Sequence, residues 1–196
     1  MANVNKLSVK RMWVYLGFRL RVTSYRKPST GNLKRIIMSL RIGSGIDFHQ
    51  FAAGRELWIG GVKIPYPKGA IGHSDADVLL HAICDAVLGA LALGDIGVHF
   101  PNNDERYKDI DSKILLKECV AMINGKGYRI INIDSTLCLQ EPKIKPYVPA
   151  MQETIAKICG IEISDVSIKA TTTETMGFVG REEGLMATAT VLLEKV

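Results

Sequence analysis

Leu40-Arg-Ile-Gly-Ser-Gly-Ile-Asp-Phe-His49 opens the ordered pattern of this chain. From Leu40 to Asp47 it reads as a β-strand interrupted by Gly43 and Gly45, and glycines inside a strand allow close approach of backbone or ligand. Asp47-Phe48-His49 closes the strand. Side chains alternate across an extended segment, so Asp47 and His49 share a face and can converge. Leu57-Trp-Ile-Gly-Gly-Val-Lys-Ile64 follows as a hairpin around the Gly60-Gly61 turn. Ser74 is expected to cap a helix, with Asp77 as acidic first-turn partner, running to about Leu93 and stopping at Gly94. Asp111 or Ser112 opens a second helix, with Ile114, Leu115, Val120 and Met122 as candidate core residues, ending at Gly125–Gly127. Tyr128–Leu139 alternates like a strand, Pro142 and Pro146 mark a loop, and residues 147–159 form a third helix ending at Gly160. Val166–Thr171 and Leu185–Leu193 are the last strands. The order β, hairpin, α, α, β, α, β, β predicts an α+β two-layer sandwich, with helices covering a mixed, mostly antiparallel sheet.

The 196 residues suit one domain with an appendage, and 47% apolar residues can bury a real core. The net charge of +5 is unevenly spread. Residues 1–37 hold nine Lys or Arg and no Asp or Glu, leaving 16 basic and 20 acidic side chains to the rest. The body is therefore mildly acidic, which argues against a nucleic-acid partner. Residues 1–37 read as a basic extension, disordered or not native. They resemble an acid-poor transit peptide, an upstream in-frame extension before a true start at Met38, or a surface-binding arm. Residues 38–196 form the domain. A start at Met38 implies a cytoplasmic protein, a transit peptide a plastid one. No apolar run is long enough to span a membrane. Cys84, Cys119, Cys138 and Cys159 lie far apart within apolar patterns and read as buried free thiols.

Two constellations carry chemistry. Asp47 and His49 on the strand, His73 and His81 around the helix start, and Asp77 and Asp85 at helical spacing from His81 can supply metal ligands. Two His and one Asp would leave a fourth tetrahedral position open, as a catalytic zinc ion needs. Spacing alone does not say which histidine binds, and each residue also has a structural reading. Asp77 suits a helix start, and Asp85 a solvated position or a hydrogen-bond partner of His81. The second constellation is Lys169-Ala-Thr-Thr-Thr-Glu174 with Gly177-Phe-Val-Gly-Arg181. Hydroxyls, backbone N–H groups and Arg181 can hold phosphate oxygens, and Glu174 can bind a hard cation. Gln140-Glu-Pro-Lys-Ile-Lys-Pro146 is a rigid loop whose lysines can face a nucleotide or solvent. No P-loop pattern is present.

Together with Ile59–Pro65, His73–Val78, Leu93–Gly97 and Phe100-Pro101, these stretches resemble the cyclodiphosphate synthase family of the non-mevalonate isoprenoid route. The likeness covers roughly residues 40–195. It implies a homotrimer with active sites between subunits and a substrate carrying cytidine diphosphate at one end and a 2-phosphate at the other. It assigns Asp47, His49 and His81 to one Zn²⁺ per active site, His73 and Thr172 to transition-state stabilisation, and Glu174 to a Mg²⁺ or Mn²⁺ that bridges substrate phosphates. Ser74, Asp95, Ile96, Gly97, Phe100, Pro101, Asn102, Asn103 and Asp104 would contact the methylerythritol phosphate. Leu139, Gln140, Glu141, Pro142, Lys143, Ile144 and Lys145, with Ala170, Thr171, Thr172, Thr173, Phe178 and Arg181, would surround the cytidine and diphosphate. The expected reaction yields a cyclic diphosphate and CMP. A zinc-dependent phosphohydrolase or a non-catalytic trimeric binding protein on the same fold are the alternatives. The sequence departs from the family at Ser44, Ile46 and Ala76, expected to touch backbone packing only, and at Asn102-Asn103, in the substrate loop.

Overall fold

Residues 39–196 are the ones that the structure, a computed structural model, describes; segment 1–37 and Met38 lie outside them. The chain runs through β1 (Leu40–Ala53), β2 (Leu57–Ile59), β3 (Val62–Ile64), β4 (Lys68–Ala70), α1 (Val78–Ala90), α2 (Ile96–His99) and α3 (Ser112–Gly125). It continues with β5 (Tyr128–Cys138), α4 (Val148–Cys159), β6 (Val166–Thr171), α5 (Gly177–Gly180) and β7 (Gly184–Lys195). Five strands form one sheet in the order β4-β1-β7-β5-β6, and β2 and β3 pair as a separate hairpin. Every pair in the large sheet is antiparallel except β5 with β6. This is the expected mixed, mostly antiparallel α+β arrangement.

The α1 helix fixes the frame. It buries every residue except Asp85 and Gly89, as expected of a helix covered on all sides. Leu79, Leu80, Ile83, Val87 and Leu88 are fully buried, each contributing roughly 1.5–3 kcal/mol of hydrophobic stabilisation. The helix lies against β1, β7 and α3. It comes this close to β1 because Gly43 and Gly45 face it: a Cβ at these positions would overlap the carbonyl oxygens of Ala86 and Ala82. Along β7, Leu185, Ala187, Ala189, Val191 and Leu193 face the same core.

The helix begins differently from the expectation. Asp77, not Ser74, is its N-cap, and its carboxylate accepts from the N–H groups of Leu79 and Leu80. The same fully buried carboxylate accepts from Gly60 N at 2.9 Å and Gly61 N at 2.6 Å. Gly60 and Gly61 have φ of 61° and 75°, a left-handed turn that suits glycine. One aspartate thus closes the helix and anchors the hairpin. Burial pushes its carboxyl up, with the backbone amides pulling the other way. The helix also ends earlier, at Ala90 with Leu91 as C-cap rather than Leu93.

Other boundaries follow the pattern closely. Asp111 caps α3, and left-handed Gly160 ends α4. Strand β1 extends to Ala53, so Asp47 and His49 lie inside it rather than at its end. In α3, Leu115 and Val120 are buried as expected, but Ile114 is 49% exposed, and Leu116, Cys119 and Ile123 complete the buried face. Cys84, Cys119 and Cys159 are buried free thiols and Cys138 is half-buried. Among the described residues no helix is long and apolar enough to cross a membrane.

Candidate metal centre and active-site cleft

Strand β1 and helix α1 bring three donors to one point. Asp47 and His49 project from the helix-facing side of β1, and His81 comes from the first turn of α1. Asp47 Oδ2 lies 2.9 Å from His49 Nε2 and 3.0 Å from His81 Nδ1, and the two ring nitrogens are 3.1 Å apart. One carboxylate oxygen and two imidazole nitrogens converging in this way can hold a metal ion. His49 Nδ1 donates to the Ile71 carbonyl at 2.8 Å, which leaves Nε2 with the lone pair that faces the other donors. His81 Nε2 points the opposite way, 3.1 Å from Ser74 Oγ and 2.9 Å from Ser112 Oγ.

Burial pushes the Asp47 carboxyl up, but the neighbouring His49 and His81 rings outweigh it and hold it well below the usual carboxylate range. Burial pulls His49 down, and the Asp47 carboxylate more than reverses this, raising its pKa.

Asp77 and Asp85, the other acidic candidates, are used elsewhere. Asp77 holds backbone amides, and Asp85 accepts from Ile96 N at 2.8 Å, tying α2 to α1 rather than bonding His81. Burial raises the Asp85 carboxyl.

The donors lie at the floor of a cleft of about 210 Å³, whose lining includes His73, Ser74, Ile96, Gly97, Phe100 and Asn102. Nine residues named from sequence therefore meet in one cavity. Gly72, Tyr107, Ile110 and Leu115 also line it and were not foreseen as cleft residues. Leu115 had only its helical spacing to recommend it, as core. His73 Nε2 lies 3.3 Å from the Asp104 carbonyl. Exposed Asp95 caps α2, accepting from Val98 N at 3.1 Å. Pro101 and Asn103 stand in the loop before Asp104, whose carboxylate is gripped by Arg106.

The second constellation gathers at the far side of the sheet. Leu139 N donates to the Thr171 carbonyl at 3.1 Å, and Thr175 N to Gln140 Oε1 at 3.4 Å. The segment Leu139–Lys145 thus abuts Ala170–Glu174. Ile144 is buried, Pro142 follows a cis peptide bond, and Lys143 bonds the Gln140 carbonyl and pairs with Glu141. Thr172 Oγ1 donates to Glu174 Oε1 at 2.5 Å. Glu174 and Thr175 have φ of 51° and 65°, conformations that cost non-glycine residues energy and cluster at functional sites. Arg181 is not open to solvent ions alone: it grips Glu183 through two bonds of 2.9 and 3.0 Å. Phe178 packs 6.1 Å from Phe48. Across the paired strands Asp47 aligns with Ala187, Leu137 and Ala170. Asp47 and Ala170 thus stand level, three strand spacings or about 14 Å apart, whereas Phe178 reaches back to Phe48 beside the donors.

The departures from the family pattern find places. Ser44 and Ile46 point to the exposed face of β1 rather than into backbone packing. Ala76 has φ of 55°, a left-handed conformation that glycine adopts without strain.

The profile of the YgbB family matches residues 40–194. The chain belongs to the YgbB family. A curated relative from Bacteroides thetaiotaomicron, a 2-C-methyl-D-erythritol 2,4-cyclodiphosphate synthase, is 59% identical over 158 residues, 81% of this chain and 99% of that protein. Among solved structures, the bifunctional IspDF from Campylobacter jejuni superposes with a TM-score of 0.78 at 40% identity over 81% of this chain, which spans 43% of that protein's length. A 2C-methyl-D-erythritol-2,4-cyclodiphosphate synthase in a CDP-bound form superposes with a TM-score of 0.73 at 33% identity, covering 78% of this chain and 99% of that one. The YgbB match spans both constellations, so the donor trio and the Thr-rich loop belong to one family domain.

Proposed function

We propose that the chain is a lyase that closes 4-diphosphocytidyl-2-C-methyl-D-erythritol 2-phosphate into 2-C-methyl-D-erythritol 2,4-cyclodiphosphate and CMP, in non-mevalonate isoprenoid biosynthesis. The observation that carries this reading is the convergence of Asp47, His49 and His81 at the floor of a cleft, in a chain 59% identical to a synthase of that name.

Zinc fits the donor set best. Tetrahedral ligands about 2.0–2.1 Å from zinc sit about 3.3 Å from one another. The observed 2.9–3.1 Å needs widening by only a few tenths of an ångström. Two imidazoles favour zinc over magnesium, which prefers oxygen. When bound, zinc would polarise a phosphate oxygen at its open position. Glu174 would hold a Mg²⁺ or Mn²⁺ bridging the phosphates.

In the reaction an oxygen of the 2-phosphate forms a bond to the β-phosphorus, and the bond to the α-phosphate oxygen breaks, releasing CMP. Two anionic groups must meet, so oriented donors matter most. His73 and Thr172 would stabilise the transition state, and Ser74 with the Asp95–Gly97 turn and the Phe100–Asp104 loop would hold the methylerythritol phosphate. Residues 139–145 and 170–173, Phe178 and Arg181 would receive the cytidine diphosphate, and the walls of the cleft would keep water from attacking phosphorus.

A homotrimer with shared sites agrees with two observations. The sheet face opposite the helices exposes Ile42, Ile46 and Phe48 at 71%, 52% and 51%, beside half-buried Leu192 and Met186, apolar side chains that a neighbouring copy would cover. The Thr-rich loop of one chain, beginning at Ala170, also stands about 14 Å from Asp47 across its sheet, so a neighbouring copy would bring that loop to the metal half.

The test is incubation with the cytidine-diphosphate substrate, Zn²⁺ and Mg²⁺, following products by mass spectrometry. Cyclic diphosphate and CMP are expected. His81→Ala should lower turnover roughly a thousandfold, because the lost charge stabilisation is worth several kcal/mol. Free inorganic phosphate in place of CMP would assign the cleft to a phosphohydrolase.

A further inference from the structure

We propose that Asp75 and Ser112 form a relay that fixes the ring tautomer of His81, turning its Nδ1 lone pair toward the metal position. The inference rests on the metal reading above and extends it to two residues outside the donor trio.

Ser112 is the first residue of α3 and fully buried. Its Oγ lies 2.9 Å from His81 Nε2 and 2.5 Å from Asp75 Oδ1. Asp75 also accepts the Ser112 N–H through Oδ2 at 3.0 Å, so the two carboxylate oxygens hold both the side chain and the backbone of Ser112. A hydroxyl has one proton, and a carboxylate can only accept. The Ser112 proton is therefore committed to Asp75, and the oxygen presents a lone pair to His81. That pairing requires a proton on Nε2 and leaves Nδ1 bare, facing Asp47 Oδ2 and His49 Nε2.

A second hydroxyl opposes this. Ser74 Oγ lies 3.1 Å from the same Nε2 and accepts from Ala76 N at 3.1 Å. Its own proton is free to point at Nε2. That arrangement would move the ring proton to Nδ1, where Asp47 Oδ2 at 3.0 Å would accept it and the metal position would be blocked. Ser74 and Ser112 thus compete for one nitrogen, and Asp75 decides the outcome by taking the proton of Ser112. Asp75 is itself positioned, since its N–H donates to the Ile110 carbonyl at 3.1 Å and its Oδ1 accepts from Asp77 N at 3.2 Å. The relay links the loop before α1, the start of α3 and the metal ligand on α1. Asp75 and Ser112 are positioning residues that act through His81.

Two readouts test the relay on the full-length protein. Long-range proton–nitrogen NMR of the metal-free wild type, at mildly alkaline pH, reads the His81 tautomer without any substitution. The Nε2–H form is expected to dominate, and the Nδ1–H form would overturn the proposal. Chelator-competition titration then measures zinc affinity. Ser112→Ala should bind zinc about 10–100-fold more weakly, the usual size of an outer-shell loss, with His81 shifted toward Nδ1–H. Ser74→Ala should bind zinc within about threefold of the wild type, because its hydroxyl can either donate to or accept from Nε2 and so commits the ring to neither tautomer. A folded Ser112→Ala with wild-type affinity would overturn the relay while leaving the metal site standing. Should Ser112→Ala fail to fold, Asp75→Asn replaces it, with a weaker loss in the same direction expected and an unchanged affinity counting against the relay. A wild-type protein whose His81 nitrogens do not respond to zinc would instead sink the metal reading itself.

Discussion

Asp47, His49 and His81 stand on a long strand and a buried helix and are largely covered, whereas Glu174 and Arg181 stand on a loop and face solvent. In the first region the donors already aim at one point, held by Ile71, Ser74 and Ser112. In the second the charged groups are occupied with their neighbours, Arg181 with Glu183 and Lys169 with Asp134. Exposed pairs of this kind add little stability, so an incoming diphosphate can displace them cheaply. The metal half is preorganised by the fold, and the loop half is assembled from replaceable contacts. Damage to the first should therefore reach the fold, and damage to the second only turnover.

The largest effect should come from breaking the frame of the metal half. Gly45→Ala forces a Cβ into the Ala82 carbonyl, so α1 must move away from β1 and carry His81 with it. A loss of about 3 kcal/mol is expected, or a melting temperature lower by roughly 6–12 °C, with weaker zinc binding. Unchanged melting would mean that the close approach is not what places the helix. On the loop side, Glu174→Gln should leave melting unchanged while abolishing most turnover. Mixing it with His81→Ala then sharpens the contrast. If neighbouring subunits each supply one half, random trimers would contain about one intact site in four, and co-refolded protein should regain about a quarter of wild-type activity. No recovery would place both halves of a working site in one chain. The smallest effect is protonic. His49 has a raised pKa through Asp47, against the effect of burial, and metal binding must expel that proton. Apparent zinc affinity should be flat above the raised pKa and fall about tenfold per pH unit below it. Asp47, held low, adds nothing in that range. A flat titration would show that His49 is not a ligand.

The same contrast governs what could be read in the chain. Asp47 and His49 were legible because strand alternation puts i and i+2 on one face whatever the tertiary fold. His81 was a candidate on helical spacing, but only the glycine-lined contact between β1 and α1 brings it to them. Asp77 looked equally eligible, and its four backbone donors, two of them from a hairpin 16 or 17 residues away, could not be inferred from spacing. Ser112 reaches His81 over 31 residues, with only its helix-start character visible. Arg181 was read as a phosphate ligand, and its bond to Glu183 depends on rotamers that no pattern encodes. The order of the long elements was legible, because those strands and helices carry strong periodicity. The short β4, α2 and α5 were missed, being too brief to show any.

Strand β7 lies between β1 and β5 in the sheet, yet it is synthesised after both. Strand β1 emerges before it and pairs with β7 from Leu40 to Gln50. Until β7 emerges, the strand that carries Asp47 and His49 therefore has no neighbour along that edge, and such distant pairings form slowly. All three donors lie in the first half of the chain, yet their rigidity depends on the final twelve-residue strand. On the ribosome the centre can mature only after β7 has emerged, so chains truncated before β7 would carry the ligands without the site.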